Sequence, residues 1–138
     1  MNILIVDDNE IILNTLKFTL EDTDYNIFVA SDGIDGLNLF KNNKFNLVIT
    51  DIIMPKMDGI EFIRQLKKFD KNIKIIVMSG GDLGPIFTDI ALEFGAIMFL
   101  EVIMIQIVQV LKKILDCMLK GNRCYKNIRC FYIYKKSK

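Results

Sequence analysis

Along this 138-residue chain the side chains able to do chemistry fall at four short places: Asp7-Asp8, Asp51, Ser79-Gly80-Gly81 and Glu101-Val102. Each directly follows a short apolar run. Three carboxylates brought to one rim repel one another unless a hard cation joins them, and magnesium, held by a few oxygens plus water, is the natural choice. Taken singly, each acid also reads as a solvated strand end or a helix cap. Asp8-Asn9-Glu10 ahead of Ile11 makes a serviceable cap by itself. The chemistry therefore depends on whether the fold brings Asp7, Asp8 and Asp51 together.

The elements that must position them are short β-branched or apolar runs alternating with stretches of helical period. The strand candidates are Asn2 to Val6, Asn26 to Ala30, Leu47 to Thr50, Ile73 to Met78 and Ile97 to Leu100. The helix candidates are Ile11 to Leu20, with Ile12, Leu16 and Leu20 on one face; Ile34 to Lys41; Ile60 to Phe69, with Phe62, Ile63, Leu66 and Phe69; and Ile86 to Phe94, with Ile86, Ile90 and Phe94. A fifth follows from Ile103, where Ile107, Leu111, Ile114 and Met118 keep a helical stripe.

Five βα units in sequence predict an α/β fold, a doubly wound parallel sheet with right-handed crossovers and helices on both faces. Each strand reads as continuously apolar and is expected to be buried on both sides. In such sheets ligands sit beyond the carboxyl ends of the strands, at the point where the strand order reverses. All four chemical stretches lie at those ends.

A length of 138 residues suits one domain with one core, and 51% hydrophobic with 25% charged residues excludes a disordered or fibrous chain. The apolar start, Asn2 to Val6, is too short for a signal peptide and carries no basic flank. The region from Ala96 to Leu111, interrupted by Glu101, Gln106 and Gln109, falls short of the roughly 20 residues needed to span a bilayer. A cytoplasmic location is expected. Of 18 basic and 17 acidic residues, 120–138 holds seven of the former and none of the latter, so this tail is a separate unit from a main domain of residues 1–119. Cys117, Cys124 and Cys130 have no histidine partner anywhere in the chain; reduced thiols are expected rather than a zinc site.

Asp51 is followed by Ile52-Ile53-Met54-Pro55-Lys56-Met57-Asp58-Gly59, in which Pro55 stiffens the loop, Asp58 caps the next helix and Gly59 relieves crowding. This segment resembles the D-x-x-M-P-x-M-D-G motif of response-regulator receiver domains. The resemblance spans residues 2 to about 101, taking in Asp7-Asp8, Ser79 and Gly95-Ala96. It implies the five-stranded, flavodoxin-like (βα)5 receiver fold. It further implies that Asp51 is the phosphoacceptor, and that Asp8, Asp51 and the backbone carbonyl of Ile53 bind Mg2+ directly, with Asp7 acting mainly through water. By the same resemblance Ser79 hydrogen-bonds a phosphoryl oxygen, Gly80 leaves room for it, and Phe99 is the aromatic whose rotamer follows phosphorylation.

One family feature is missing. Receiver domains close strand five with an aromatic, two residues and then Lys-Pro, whereas Phe99-Leu100-Glu101 is followed here by Val102-Ile103. A charge-assisted hydrogen bond is worth about 1.5–3 kcal/mol, so the loss of that lysine predicts phosphoryl-dependent switching weakened by roughly 10- to 100-fold. The ending beyond Glu101 reads either as a diverged extension or as the product of a damaged reading frame.

The resemblance implies a stand-alone signalling module, not an enzyme acting on a separate substrate. Its partners would be a histidine kinase or phosphotransfer protein, and a downstream protein or second copy met through the fourth helix, fifth strand and fifth helix. The alternative is a pseudo-receiver, an interaction or dimerisation module independent of phosphorylation. An aspartate-nucleophile phosphatase is disfavoured, because Asp7-Asp8-Asn9 does not supply a D-x-D pattern. Nucleic-acid binding by the tail is disfavoured too: its basic residues are interleaved with Tyr125, Phe131, Tyr132 and Tyr134, but nineteen residues are too few for a DNA-binding domain.

Overall fold

The computed structural model describes residues 1–21, 24–80 and 84–101. The predicted fifth helix, Val102, Gly81, the three cysteines and the basic tail lie outside the described residues. In chain order the elements are β1 (Asn2–Val6), α1 (Glu10–Glu21), β2 (Asn26–Ala30), α2 (Gly33–Asn42), β3 (Leu47–Asp51), α3 (Gly59–Phe69), β4 (Lys74–Ser79), α4 (Gly84–Glu93) and β5 (Met98–Glu101). Strand order is β2-β1-β3-β4-β5, and every pairing is parallel. The fold is thus the predicted doubly wound α/β sheet, and the chain reverses its direction of growth across the sheet at β1, which has β2 on one side and β3 on the other.

Alternation along the strands divides the core in two. Leu4, Val6, Val48, Ile75 and Val77 face one way, onto Leu37 and Phe40 of α2, Phe62, Ile63 and Leu66 of α3 and Ala91 of α4. Ile3, Ile5, Leu47, Ile49, Ile76 and Met78 face the other, onto Leu13, Leu16 and Leu20 of α1. Burying side chains of this size is worth roughly 1.5–3 kcal/mol each, which fixes both helix layers to the sheet.

At its amino-terminal edge the sheet is stitched by asparagines. The Asn2 backbone N–H donates to Asn46 Oδ1 at 2.8 Å, the Asn2 side-chain amide to the Lys44 carbonyl at 2.8 Å, and the Asn26 amide to Asn2 Oδ1 at 2.9 Å. These bonds tie β1 to both of its neighbours at the end remote from the carboxylates.

Several expectations require correction. Strand β2 is not buried on both sides: it lies at the sheet edge, and Asn26 and Val29 are exposed, with no further strand beyond β2 among the described residues. In α1 Leu13 joins Leu16 and Leu20 in the core while Ile12 is only half-buried. Phe69, the last residue of α3, and Phe94, one residue past the end of α4, lie off the predicted buried faces and are 56% and 40% exposed. Lys41 Nζ lies 5.2 Å from the Phe69 ring centroid; Phe94 takes a similar partner, with Arg64 6.0 Å from its ring. Strands β4 and β5 each begin one residue later than predicted.

Candidate phosphoacceptor and metal site

The sheet register sets the acidic cluster. Val6 pairs with Thr50, so Asp7 and Asp51 each stand one residue beyond a paired position on adjacent central strands. Asp8 follows at the turn into α1, where Asn9 Oδ1 accepts from the N–H groups of Ile11 at 3.0 Å and Ile12 at 3.4 Å and so caps the helix. Asp7 Oδ1 accepts from the Asn9 N–H at 2.8 Å, which ties its carboxylate to that same turn. Carboxylate oxygens of Asp7, Asp8 and Asp51 all lie within 4.8 Å of one another. The three predicted acids are therefore together.

Their electrostatics are those of an uncompensated cluster. Burial pushes the Asp7 carboxyl above its ordinary range, the Asn9 N–H pulls it back, and the charge of Asp8 raises it again. Asp51 is pushed up to about 6, first by burial and then by the charges of Asp7 and Asp8, against the opposing N–H groups of Ile52 and Ile53. A divalent cation among these oxygens relieves both the repulsion and the loss of hydration, so the donor set fits magnesium.

Ser79 ends β4, immediately after Met78, the register partner of Asp51. Its hydroxyl is buried, and Ser79 Oγ has no hydrogen-bond partner among the described residues. Leaving a buried hydroxyl unpaired costs about 1–3 kcal/mol, and at a functional rim it calls for a ligand. Next to it, a Cβ on Gly80 would meet nothing within 4 Å among the described residues, so Gly80 itself takes up no room beside Ser79. A group with acceptor oxygens fits this corner.

The β3–α3 loop completes the site. Asp58 Oδ1 accepts from the Glu61 N–H at 2.9 Å and caps α3, as its sequence position predicts. Gly59 is held against the chain, its N–H donating to the Ile52 carbonyl at 2.8 Å. Ile53 lies two residues past Asp51 with its side chain half exposed. Phe99 pairs with Val77 and Glu101 with Ser79, which places the predicted end of β5 at the same rim.

Two charged residues escape the sequence reading. Asp32, almost wholly buried, accepts from Ile34 and Asp35 at the start of α2, and its second oxygen accepts from Lys56 Nζ at 2.5 Å. The cap was legible in Asp32-Gly33 after a strand; the lysine partner, in another loop, left no local signal.

The sequence profile of the response regulator receiver domain matches residues 3–115. The chain belongs to this family. Response regulator MprA of Mycobacterium sp. (strain KMS) is 34% identical over 82 residues, which cover 59% of this chain and 36% of that protein. The receiver thus spans about a third of the length of the curated relatives it matches. A response regulator receiver domain protein from Clostridium thermocellum superposes with a TM-score of 0.77 at 29% identity, covering 87% of this chain and 94% of that one. A chain of the CheX-CheY-BeF3-Mg+2 complex from Borrelia burgdorferi superposes with a TM-score of 0.75 at 30% identity, covering 86% and 89%. The receiver fold carried by these neighbours is the flavodoxin-like one read from the sequence. Among the described residues, no helix is long and apolar enough to cross a membrane.

Proposed function

We propose that this receiver domain accepts a phosphoryl group on Asp51 from a histidine kinase or phosphotransfer protein, with Mg2+ held by Asp7, Asp8, Asp51 and the Ile53 carbonyl. The observation that carries this reading is the pairing of a three-carboxylate cluster with an unpartnered buried hydroxyl, Ser79 Oγ, at the ends of adjacent strands. The acids supply a nucleophile and a cation site; the hydroxyl supplies a donor for an oxyanion. The Borrelia burgdorferi complex contains BeF3 and Mg2+, and beryllium trifluoride on a carboxylate oxygen is a tetrahedral mimic of a phosphoryl group, which supports a phosphoryl reading for a chain of this fold.

In the step proposed, an Asp51 oxygen attacks phosphorus in line. The new O–P bond forms as the P–N bond of the donor phosphohistidine breaks, and the electron pair of that bond stays on the imidazole, which takes up a proton. Bound magnesium would neutralise negative charge on the acceptor and the transferring group. Asp51 must be ionised to attack, and a value near 6 leaves it largely so at pH 7. Ser79 donates to a phosphoryl oxygen in the space that Gly80 leaves open. Output would pass through α4, β5 and the segment beyond, with Phe99 following the modification, toward a downstream protein or a second copy.

Val102, at the position where the receiver motif has lysine, favours a second reading: a pseudo-receiver that binds partners or itself without phosphoryl traffic. Intact-protein mass after incubation with Mg2+ and acetyl phosphate separates the two. Gain of one phosphoryl group, lost in Asp51→Asn and without metal, supports the acceptor; no gain in folded protein supports the pseudo-receiver.

A further inference from the structure

We infer that Asp32 and Lys56 form a tether that positions the loop carrying Ile53 and thereby sets the affinity of the acidic cluster for magnesium. The inference rests on the magnesium reading of Asp7, Asp8 and Asp51 given above. Those three acids stand at strand ends or at a capped turn, whereas Ile53 belongs to the β3–α3 loop.

The middle of that loop is held in an unfavourable conformation. Lys56 has φ 67°, and the N–H of Met57 donates to the Pro55 carbonyl at 2.7 Å. A bond from residue i+2 back to i around a positive φ is the rarer, strained form of γ-turn, which glycine adopts freely and a side-chain-bearing residue does not. Such a conformation persists where the surroundings over-determine it. Lys56 carries the means in its side chain, whose Nζ meets Asp32 Oδ2 at 2.5 Å.

Asp32 is a rigid anchor. Its other oxygen accepts two backbone N–H groups of α2, both at 2.9 Å, so its carboxylate is fixed by the helix before the lysine arrives. The loop also lies directly on that helix start: a Cβ on Gly33 would stand 2.9 Å from the Met57 carbonyl oxygen and 3.0 Å from its Cβ. The ion pair thus clamps the loop to α2, while Gly59 and Asp58 clamp its far end to β3 and α3. Between these clamps lies the segment from Ile53 to Pro55.

The test is an NMR titration of the 15N-labelled 138-residue chain with MgCl2, following the amides of Ile52 and Ile53, with circular dichroism confirming the fold of each variant. Asp32→Asn keeps a good N-cap but removes the charge, Lys56→Gly frees the turn but removes the tether, and Lys56→Arg keeps a cation. Simple electrostatics and positioning predict opposite signs for one of them. Removing a nearby cation should tighten magnesium binding, whereas untethering the loop should weaken it.

The expected result is a dissociation constant raised about tenfold in both Lys56→Gly and Asp32→Asn, as is typical when groups supporting metal ligands are removed. The double variant should be no weaker than either single one, and Lys56→Arg should stay close to the natural protein. Unchanged or tightened binding in Lys56→Gly, or additive losses in the double variant, overturns the tether alone. A natural protein that binds no magnesium overturns the metal reading and the tether with it.

Discussion

A Cβ placed on Gly59 would stand 2.2 Å from the backbone carbonyl oxygen of Asp51 and 2.7 Å from the Cα of Ile52. The first residue of α3 thus presses on the peptide that carries the candidate acceptor, and neither partner is a flexible side chain able to swing away. Gly59→Ala should destabilise the fold by about 2 kcal/mol, within the roughly 1–3 kcal/mol range of overpacking and partly offset by the better helix propensity of alanine. Urea unfolding measures the loss. Because Asp51 itself must shift to relieve the contact, magnesium binding should fall as well.

Ser79 offers a prediction in which stability and function part. Its buried hydroxyl lacks a partner among the described residues, so Ser79→Ala should leave urea stability unchanged or raise it by up to about 1 kcal/mol. The same change should lower the phosphorylated fraction by about tenfold, since a hydrogen bond to a charged oxygen is worth about 1.5–3 kcal/mol. Intact mass against urea midpoint gives both numbers. A loss of stability with phosphorylation unaltered would assign the hydroxyl to the fold instead.

The acidic rim makes metal-free stability depend on pH. Asp51 titrates near 6 in the folded chain against about 4 unfolded, so between those values the native state binds more protons. Stability should therefore fall as pH rises from about 4 to about 6, with Asp7, also raised, adding to the slope. Asp51→Asn should flatten it, and magnesium at pH 7 should restore stability, by about 2.7 kcal/mol at a hundredfold excess over its dissociation constant. Asp32 acts outside this window: the Lys56 hydrogen bond holds it below its ordinary value, so its contribution is complete above about 4 and is lost only in stronger acid. Thermal melts across pH 4–8 test the sign.

Asp58 is tied to helix formation rather than to the cation. Asp58→Ala should cost about 1 kcal/mol, and Asp58→Asn much less, because either Asp or Asn can accept from the Glu61 N–H. Glu61 does not reciprocate as in a capping box; its carboxylate is engaged by Arg64 and Gln65. Changing Glu61 to Ala should therefore leave the cap intact, which differential melting of the two variants checks.

Local signals made much of this molecule legible from sequence. The four apolar runs that end in Asp7, Asp51, Ser79 and Glu101 became strands within one residue of their expected limits, because their patterning leaves no helical alternative. Asp58 and Gly59 were legible as cap and close contact because their roles are set by immediate neighbours. What escaped depends on distant context. β2 is as apolar as its neighbours, and only its place at the sheet edge exposes Val29. Phe69 keeps the helical spacing of Phe62 and Leu66, yet it falls where α3 leaves the sheet and takes a lysine from α2 as its partner. Asp32 and Lys56 are 24 residues apart, and nothing in either stretch announces the other.

The asparagine contacts at the amino-terminal edge bear on fidelity of assembly. β1 is five residues long, so the stitching at Asn2 and the acid at Asp7 are separated by roughly 17 Å of extended chain, at about 3.3 Å per residue. A slip of β1 by one residue would turn Leu4 and Val6 toward α1 and send Ile3 and Ile5 to the other layer, and it would set Asp8 or Val6 where Asp7 stands. Asn2, Asn26 and Asn46 reject that misalignment through bonds far from the acidic cluster. The composition of the acidic cluster is thereby proofread at the opposite end of the sheet.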